Sequence, residues 1–234
     1  MIIPTAEPFF FPGKKISCLL VHGFTSAPKE MRWMGEYLAE QGFSVLGVRL
    51  AGHATNPEEM IRTRYIDWMH SVEDGYHLLK GIADKVVLVG ISMGGALSLL
   101  MASKLNVAGV FAMSTPYKLT DSRIKLAKYL SLFIKYMPKS DDEPGSGWLD
   151  KESWKDHISY PQNPVRSAAE IASLLDEMRV ALPKVKVPTL LVHSRNDSYV
   201  PLSSMENIYN ALGSTDKEMM WVTESGHVIP REPA

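Results

Sequence analysis

A serine set among glycines is the residue of this chain best placed to do covalent chemistry. Ser92 stands in Gly90-Ile91-Ser92-Met93-Gly94, with Gly95 following. Just before it, Val86-Val87-Leu88-Val89 is short, apolar and β-branched, which predicts a buried strand. Just after it, Ala96-Leu97-Ser98-Leu99-Leu100-Met101-Ala102 predicts a helix. A serine between the two must make a sharp, strained turn that pushes its hydroxyl out of the sheet. Gly90 and Gly94 leave room for that turn, because a Cβ at either position would crowd neighbouring backbone. The chemistry this arrangement suits is attack on a carbonyl carbon. A serine hydroxyl is a poor nucleophile at neutral pH, so it needs a base, and the base needs an anion to fix its tautomer.

The base and acid follow from position along the chain. Of the seven histidines, His227 lies in Glu224-Ser225-Gly226-His227-Val228, just past the last predicted strand. Asp197 lies in Ser194-Arg195-Asn196-Asp197, just past a strand predicted to end at His193. Both therefore fall at the carboxyl edge of the strands, where sites form in open parallel sheets. The order Ser92, Asp197, His227 is the one expected with a strand-serine-helix turn of this kind. Asp216 and Glu224 are rival acids. Asp216 precedes its strand and is expected at the opposite edge, and Glu224 is only three residues from His227, an awkward reach to Nδ1. An oxyanion needs donors. The Met93 N–H, which also begins a helix, is one candidate. The Phe24 N–H, in the loop His22-Gly23-Phe24-Thr25 after the first long strand, is the other.

The remaining histidines read as structural. His70 and His77, near Asp67 and Asp74, suit a solvated helix face. His22 orders its loop, His53 and His193 look structural, and His157 carries no signal. No Cys/His spacing suggests zinc and no phosphate-binding glycine loop follows a strand, so neither metal nor cofactor is expected.

Around these residues the chain alternates strand-like and helix-like runs. Strands are predicted at 16–21, 43–48, 86–91, 107–113, 187–193 and 219–222. Helices are predicted at 28–41, about 66–80, 167–182 and 203–212. The first helix has Ser26 as a candidate N-cap, Pro28 in its first turn and Gly42 as its stop. Met31, Met34 and Leu38 give it one apolar face; Trp68, Val72, Gly75 and Leu79 do the same for the second. Continuous apolar strands alternating with helices predict a mostly parallel sheet covered on both faces. About fifty residues between Ser114 and Ser167 break the rhythm. They include a helical apolar stretch, 124–137, with Lys125, Lys128 and Lys135, and then a polar turn, 140–147. So long an insertion is usually a lid or binding loop, and we expect a small cap at 117–165 within a single domain spanning 1–234.

Composition narrows the field further. A net charge of -1 leaves no electrostatic footprint for nucleic acid. Cys18, the one cysteine, lies in an apolar strand and reads as a buried, inert thiol. Residues 1–12 lack a secretory leader pattern and no stretch suffices to span a bilayer, so we expect no stable membrane insertion and a cytoplasmic location. The sequence says nothing of oligomeric state.

His22-Gly23-Phe24-Thr25, Gly52-His53, Asp67-Trp68, Gly90-Ile91-Ser92-Met93-Gly94-Gly95, Asn196-Asp197 with Val200-Pro201, and Gly226-His227-Val228 together resemble the small bacterial carboxylesterases and monoacylglycerol lipases of the α/β-hydrolase fold. The resemblance covers almost the whole chain from about Phe9. It implies nucleophile Ser92, acid Asp197, base His227 and oxyanion N–H groups from Phe24 and Met93. It also implies a cap where the insertion falls, and cofactor-free hydrolysis of short- to medium-chain acyl esters or monoacylglycerols. Thioester or amide hydrolysis on the same residues, or ligand binding without catalysis, are the alternatives. The family continues into a further helix after the histidine, whereas this chain stops at Ala234; a tail or a partner is expected to cover the sheet face that such a helix would cover.

Overall fold

The computed structural model of the chain describes residues 1–119, 124, 127–139 and 147–232. Its frame is a seven-stranded sheet in the order β1-β3-β2-β4-β5-β8-β9. The strands are β1 (Phe9–Phe11), β2 (Ile16–Val21), β3 (Ser44–Val48), β4 (Lys85–Ile91), β5 (Gly109–Met113), β8 (Thr189–Ser194) and β9 (Lys217–Val222). All pairings are parallel except that of β1 with β3. The register aligns the carboxyl ends: Val21 pairs with Gly90, Ile91 with Met113, and Ser194 with Val222. The residues that follow each of the six parallel strands therefore leave the sheet along one edge.

Period-two alternation assigns the two faces. Leu19, Val21, Leu88, Val110, Ala112 and Leu191 point to one side, where they pack with residues of α3 (Tyr65–Lys80), α4 (Met93–Ala102), α7 (Val165–Ala181) and α8 (Ser203–Ala211). Cys18, Leu20, Val89, Ile91, Met113 and Val192 point to the other, under Phe9, Met31, Met34 and Leu38 of the first strand-helix unit and under Trp148 and Val228. All ten residues of α4 are buried. A helix apolar all round belongs in the centre, and α4 packs on β4 and β5 and against α3 and α7. The sequence reading of α3 holds: Trp68, Val72, Gly75 and Leu79 are its buried face. Burial pushes the Cys18 thiol up to about 11, in keeping with an inert side chain.

Several local expectations need correction. The helix predicted at 28–41 is a 3-10 turn, Pro28–Met31, followed by α1 (Arg32–Glu40). Ser26 does not cap it; Ala27 holds the cap position, and the Ser26 hydroxyl instead donates to the Ile158 carbonyl at 3.4 Å. Gly42 does end the helix, in the left-handed conformation (φ 91°) that glycine alone adopts without strain. Short elements without a sequence reading include β1, α2 (Pro57–Arg62), α6 (Lys151–Lys155) and the strand Gln162–Pro164. In the insertion, α5 (Ala127–Leu130) is the only α-helix within the described part of 124–137. Tyr136–Pro138 is instead a strand, β6, paired antiparallel with β7 (Gln162–Pro164). The polar turn lies outside the described residues except for Gly147. Among the described residues no helix is long and apolar enough to cross a membrane.

Trp68 is fully buried and its indole N–H donates to Thr63 Oγ1 at 3.1 Å. Trp68→Ala is expected to destabilise the fold by about 3–5 kcal/mol, read as a shift in the urea unfolding midpoint.

Candidate active site

Ser92 joins β4 to α4 at φ 54° and ψ −119°. This left-handed conformation is uncommon for a residue with a side chain and costs on the order of 1–3 kcal/mol. Packing enforces it. A Cβ on Gly94 would sit 2.1 Å from the Val21 carbonyl oxygen, and one on Gly90 would sit 2.2 Å from the Gly94 carbonyl oxygen. Neither position tolerates a side chain, so α4 starts hard against the end of β2 and Ser92 is left partly exposed at the edge. The Ser92 N–H is bonded to the Met113 carbonyl at 2.8 Å.

Asp197 and His227 meet at the same edge. His227 Nδ1 lies 2.8 Å from Asp197 Oδ2. A carboxylate only accepts, so Nδ1 carries the proton and the Nε2 lone pair is free to take another. The other carboxylate oxygen accepts from the Tyr199 and Val200 N–H groups at 2.8 and 2.9 Å. His193 Nε2 also approaches Oδ2, at 3.1 Å but out of hydrogen-bond alignment. Burial alone would raise the Asp197 carboxyl. The imidazoles of His193 and His227 and the Val200 N–H outweigh it and hold the group well below the usual carboxylate range. Serines fix the His227 loop: Ser114 Oγ donates to the His227 carbonyl at 2.8 Å, and Ser194 Oγ to the Ser225 carbonyl. Ser92 and His227 are thus tied through their backbones to adjacent residues, Met113 and Ser114. Among the described residues no hydrogen bond joins the Ser92 hydroxyl to the His227 ring. Catalytic hydrogen bonds are often loose in the absence of ligand.

The rival acids fall away by position. The Asp216 carbonyl accepts from the N–H of Thr189, the first residue of β8, which places Asp216 at the amino edge. Glu224 is exposed, and Nδ1 of His227 is taken by Asp197.

The loop after β2 is clamped around Gly23. The Leu50 N–H donates to His22 Nε2 at 3.3 Å, so His22 carries its proton on Nδ1 and donates it to the Gly23 carbonyl at 2.9 Å. Burial pushes the His22 imidazole down to about 4, in keeping with a neutral ring. On the other side the Gly23 N–H donates to Glu30 Oε2 at 2.6 Å. The Phe24 ring turns inward, edge-on to His53 and Trp68 at 6.4 and 6.3 Å. Among the described residues neither the Phe24 nor the Met93 N–H has an acceptor in a loop or side chain. The inserted segment borders this loop: the Tyr160 N–H donates to the Thr25 carbonyl at 3.0 Å.

Sequence reasoning missed Glu30, which is buried, so that desolvation raises its carboxyl, and whose Oε1 lies 3.9 Å from His157 Nε2. His193, read as structural, lies with its ring against the Asp197 carboxylate. Neither carries a motif; only the i, i+4 spacing of His193 and Asp197 hinted at contact.

Because the Asp197 carboxyl is lowered in the fold, its contribution to stability is present above about pH 4 and is lost as pH falls. The stability gap between wild type and Asp197→Asn is expected to be widest near neutral pH and to narrow below pH ~4, measured by urea unfolding across pH.

A family description for serine aminopeptidase, S33, matches residues 13–234. A carboxylesterase of Bacillus subtilis (strain 168) is 30% identical over 230 residues, covering 98% of this chain and 91% of the relative. A thermostable monoacylglycerol lipase of Bacillus sp. (strain H-257) is 32% identical over 228 residues, covering 97% and 88%. A solved structure from work on two metagenome-derived lipolytic enzymes superposes with a TM-score of 0.92 at 30% identity, covering 99% of this chain and 93% of the other. With the parallel sheet, the strained serine turn and matches that run the length of the chain, this protein belongs to the S33 family of α/β-hydrolases.

Proposed function

We propose that this protein hydrolyses carboxylic esters, of short- to medium-chain acyl groups or of monoacylglycerols, through an acyl-enzyme on Ser92. The observation that carries the reading is the 2.8 Å contact from His227 Nδ1 to Asp197, at the edge onto which the strained Ser92 opens. His227 Nε2 takes the hydroxyl proton as Ser92 Oγ attacks the ester carbonyl carbon. The resulting oxyanion is met by the N–H groups of Phe24 and Met93, the second aided by the dipole of α4. His227 returns the proton to the departing alcohol, leaving the acyl group on Ser92. Water then attacks the acyl-enzyme as His227 accepts its proton, and His227 passes that proton to Ser92 Oγ as the acyl–oxygen bond breaks and the carboxylic acid leaves. Asp197 holds the imidazole tautomer and stabilises the imidazolium. No cofactor or metal enters these steps.

The segment 117–165 acts as a cap over this edge, within one domain. The substrate is a small molecule and the chain engages neither nucleic acid nor the bilayer interior. The single cysteine, Cys18, which can form no internal disulfide, supports a cytoplasmic location.

Ser92→Ala is expected to lower p-nitrophenyl ester turnover by at least ~10⁴-fold and to abolish labelling by a fluorophosphonate; retained labelling rejects Ser92. In wild type, kcat/KM should rise with pH along one limb, because a general base must be neutral to accept the hydroxyl proton. Rates on matched esters, thioesters and anilides separate ester hydrolysis from its alternatives, and no turnover of any would leave a binding protein.

A further inference from the structure

Glu232 follows the 3-10 turn Ile229–Arg231 and is buried. Its carboxylate collects four donors from two separate stretches of chain. Oε1 accepts from the N–H groups of Leu149 and Asp150 at 2.5 and 2.8 Å. Oε2 accepts from the Gly226 N–H at 2.5 Å and the Ser225 hydroxyl at 3.3 Å. A carboxylate offers about four lone-pair positions, and these four contacts occupy them. The first pair belongs to the cap and opens α6, whose N-cap is Asp150. The second pair belongs to the loop that carries His227. The two stretches also touch directly: the His227 N–H donates to the Gly147 carbonyl at 3.2 Å, and a Cβ on Gly226 would lie 1.9 Å from that oxygen. Neighbouring Arg231 does not share the role; its guanidinium points to Asp156 at 2.9 Å and lies 4.0 Å over the Trp33 ring.

We propose that Glu232 is a positioning residue that couples the cap to the base, so that His227 is aligned for Ser92 only while residues 149–150 are seated on the same carboxylate. The proposal rests on the reading of His227 as base. Neither stretch moves alone without stripping donors from a buried anion. Substrate that displaces or settles the cap therefore acts on the imidazole through the Glu232 carboxylate, alongside the direct contact of Gly147 with the His227 N–H.

Glu232→Gln keeps the shape but presents an NH2 group to one of the two donor sets, and Glu232→Asp is too short to reach both. Each variant cuts one tie. Both are expected to lower kcat about 10- to 100-fold on p-nitrophenyl acetate and on a long-chain p-nitrophenyl ester alike, since small misplacement of a catalytic group has effects of that order. KM for the acetate should stay near wild type and the thermal midpoint within a few degrees. A raised KM confined to the long ester, or a lowered thermal midpoint with unchanged kcat, overturns the proposal. If neither variant folds, hydrogen exchange on wild type decides: the amides of 149–150 and 225–227 should exchange as one unit and be slowed together when a fluorophosphonate occupies the site, and independent exchange overturns it. His227→Gln is measured in parallel. If that variant keeps its turnover, the reading of the site fails; if it is inactive while Glu232→Gln matches wild type, only the coupling fails.

Discussion

The site depends on how closely the first turn of α4 approaches the end of β2. Gly94 lies against the carbonyl oxygens of Val21 and His22, with no space for a side chain. That contact obliges the chain to turn within one residue, and the residue is Ser92, held at φ 54°. The strain is of order 1–3 kcal/mol. What outweighs it is the helix behind: Leu97, Leu99 and Leu100 are each fully buried, and burial of one such side chain is worth about 1.5–3 kcal/mol. The strained turn is thus held by apolar packing well away from the hydroxyl that it exposes.

The rest of the edge is held by different means. Asp197, His227 and the Gly23 loop sit on segments without regular hydrogen bonding of their own, and buried polar groups there must find partners. They find serines, histidines and carboxylates. Ser114 and Ser194 fasten the His227 loop, His22 and Glu30 fasten Gly23 from its two sides, and two backbone N–H groups fasten Asp197. The cost of burying the Asp197 charge is offset by donors on both of its oxygens. Geometry is therefore set by apolar contact on the Ser92 side and by polar contact on the Asp197–His227 side.

This division explains what could be read from the amino-acid order. Ser92, Asp197 and His227 were legible because each follows a strand whose apolar run is unmistakable, and parallel strands put such residues on one edge. The central elements were legible for the same reason: α3 and α4 carry their burial in their own periodicity. Glu30 was not legible, because a carboxylate in a polar turn looks solvated until the Gly23 N–H is seen against it. The split of 28–41 into a 3-10 turn and α1 was hidden because Pro28 and the apolar spacing fit either form. The run 124–137 misled more directly. Its apolar residues keep helical spacing, yet Tyr136–Pro138 pairs with Gln162–Pro164, a partner some 26 residues away in the chain that periodicity cannot detect. β1 was missed because three phenylalanines before a proline are too short a run to count as a strand without knowing that β3 offers an open edge.

The insertion itself is not uniform. Its outer part is loosely packed: Leu132 and Phe133 are 76% and 86% exposed. Its inner part is stitched to the site, since Tyr160 bonds Thr25, Ser159 meets Thr25 Oγ1 at 3.1 Å, and Leu149 and Asp150 meet Glu232. Residues 129–134 can change with little consequence for the edge, because no described hydrogen bond ties them to it. Residues 147–160 cannot, because several of their ties end on the loops that carry Phe24 and His227: Tyr160 and Ser159 meet Thr25, and Gly147 meets the His227 N–H. Sequence change in the outer part therefore reshapes what approaches the edge, whereas change in the inner part reaches the groups that would act on it.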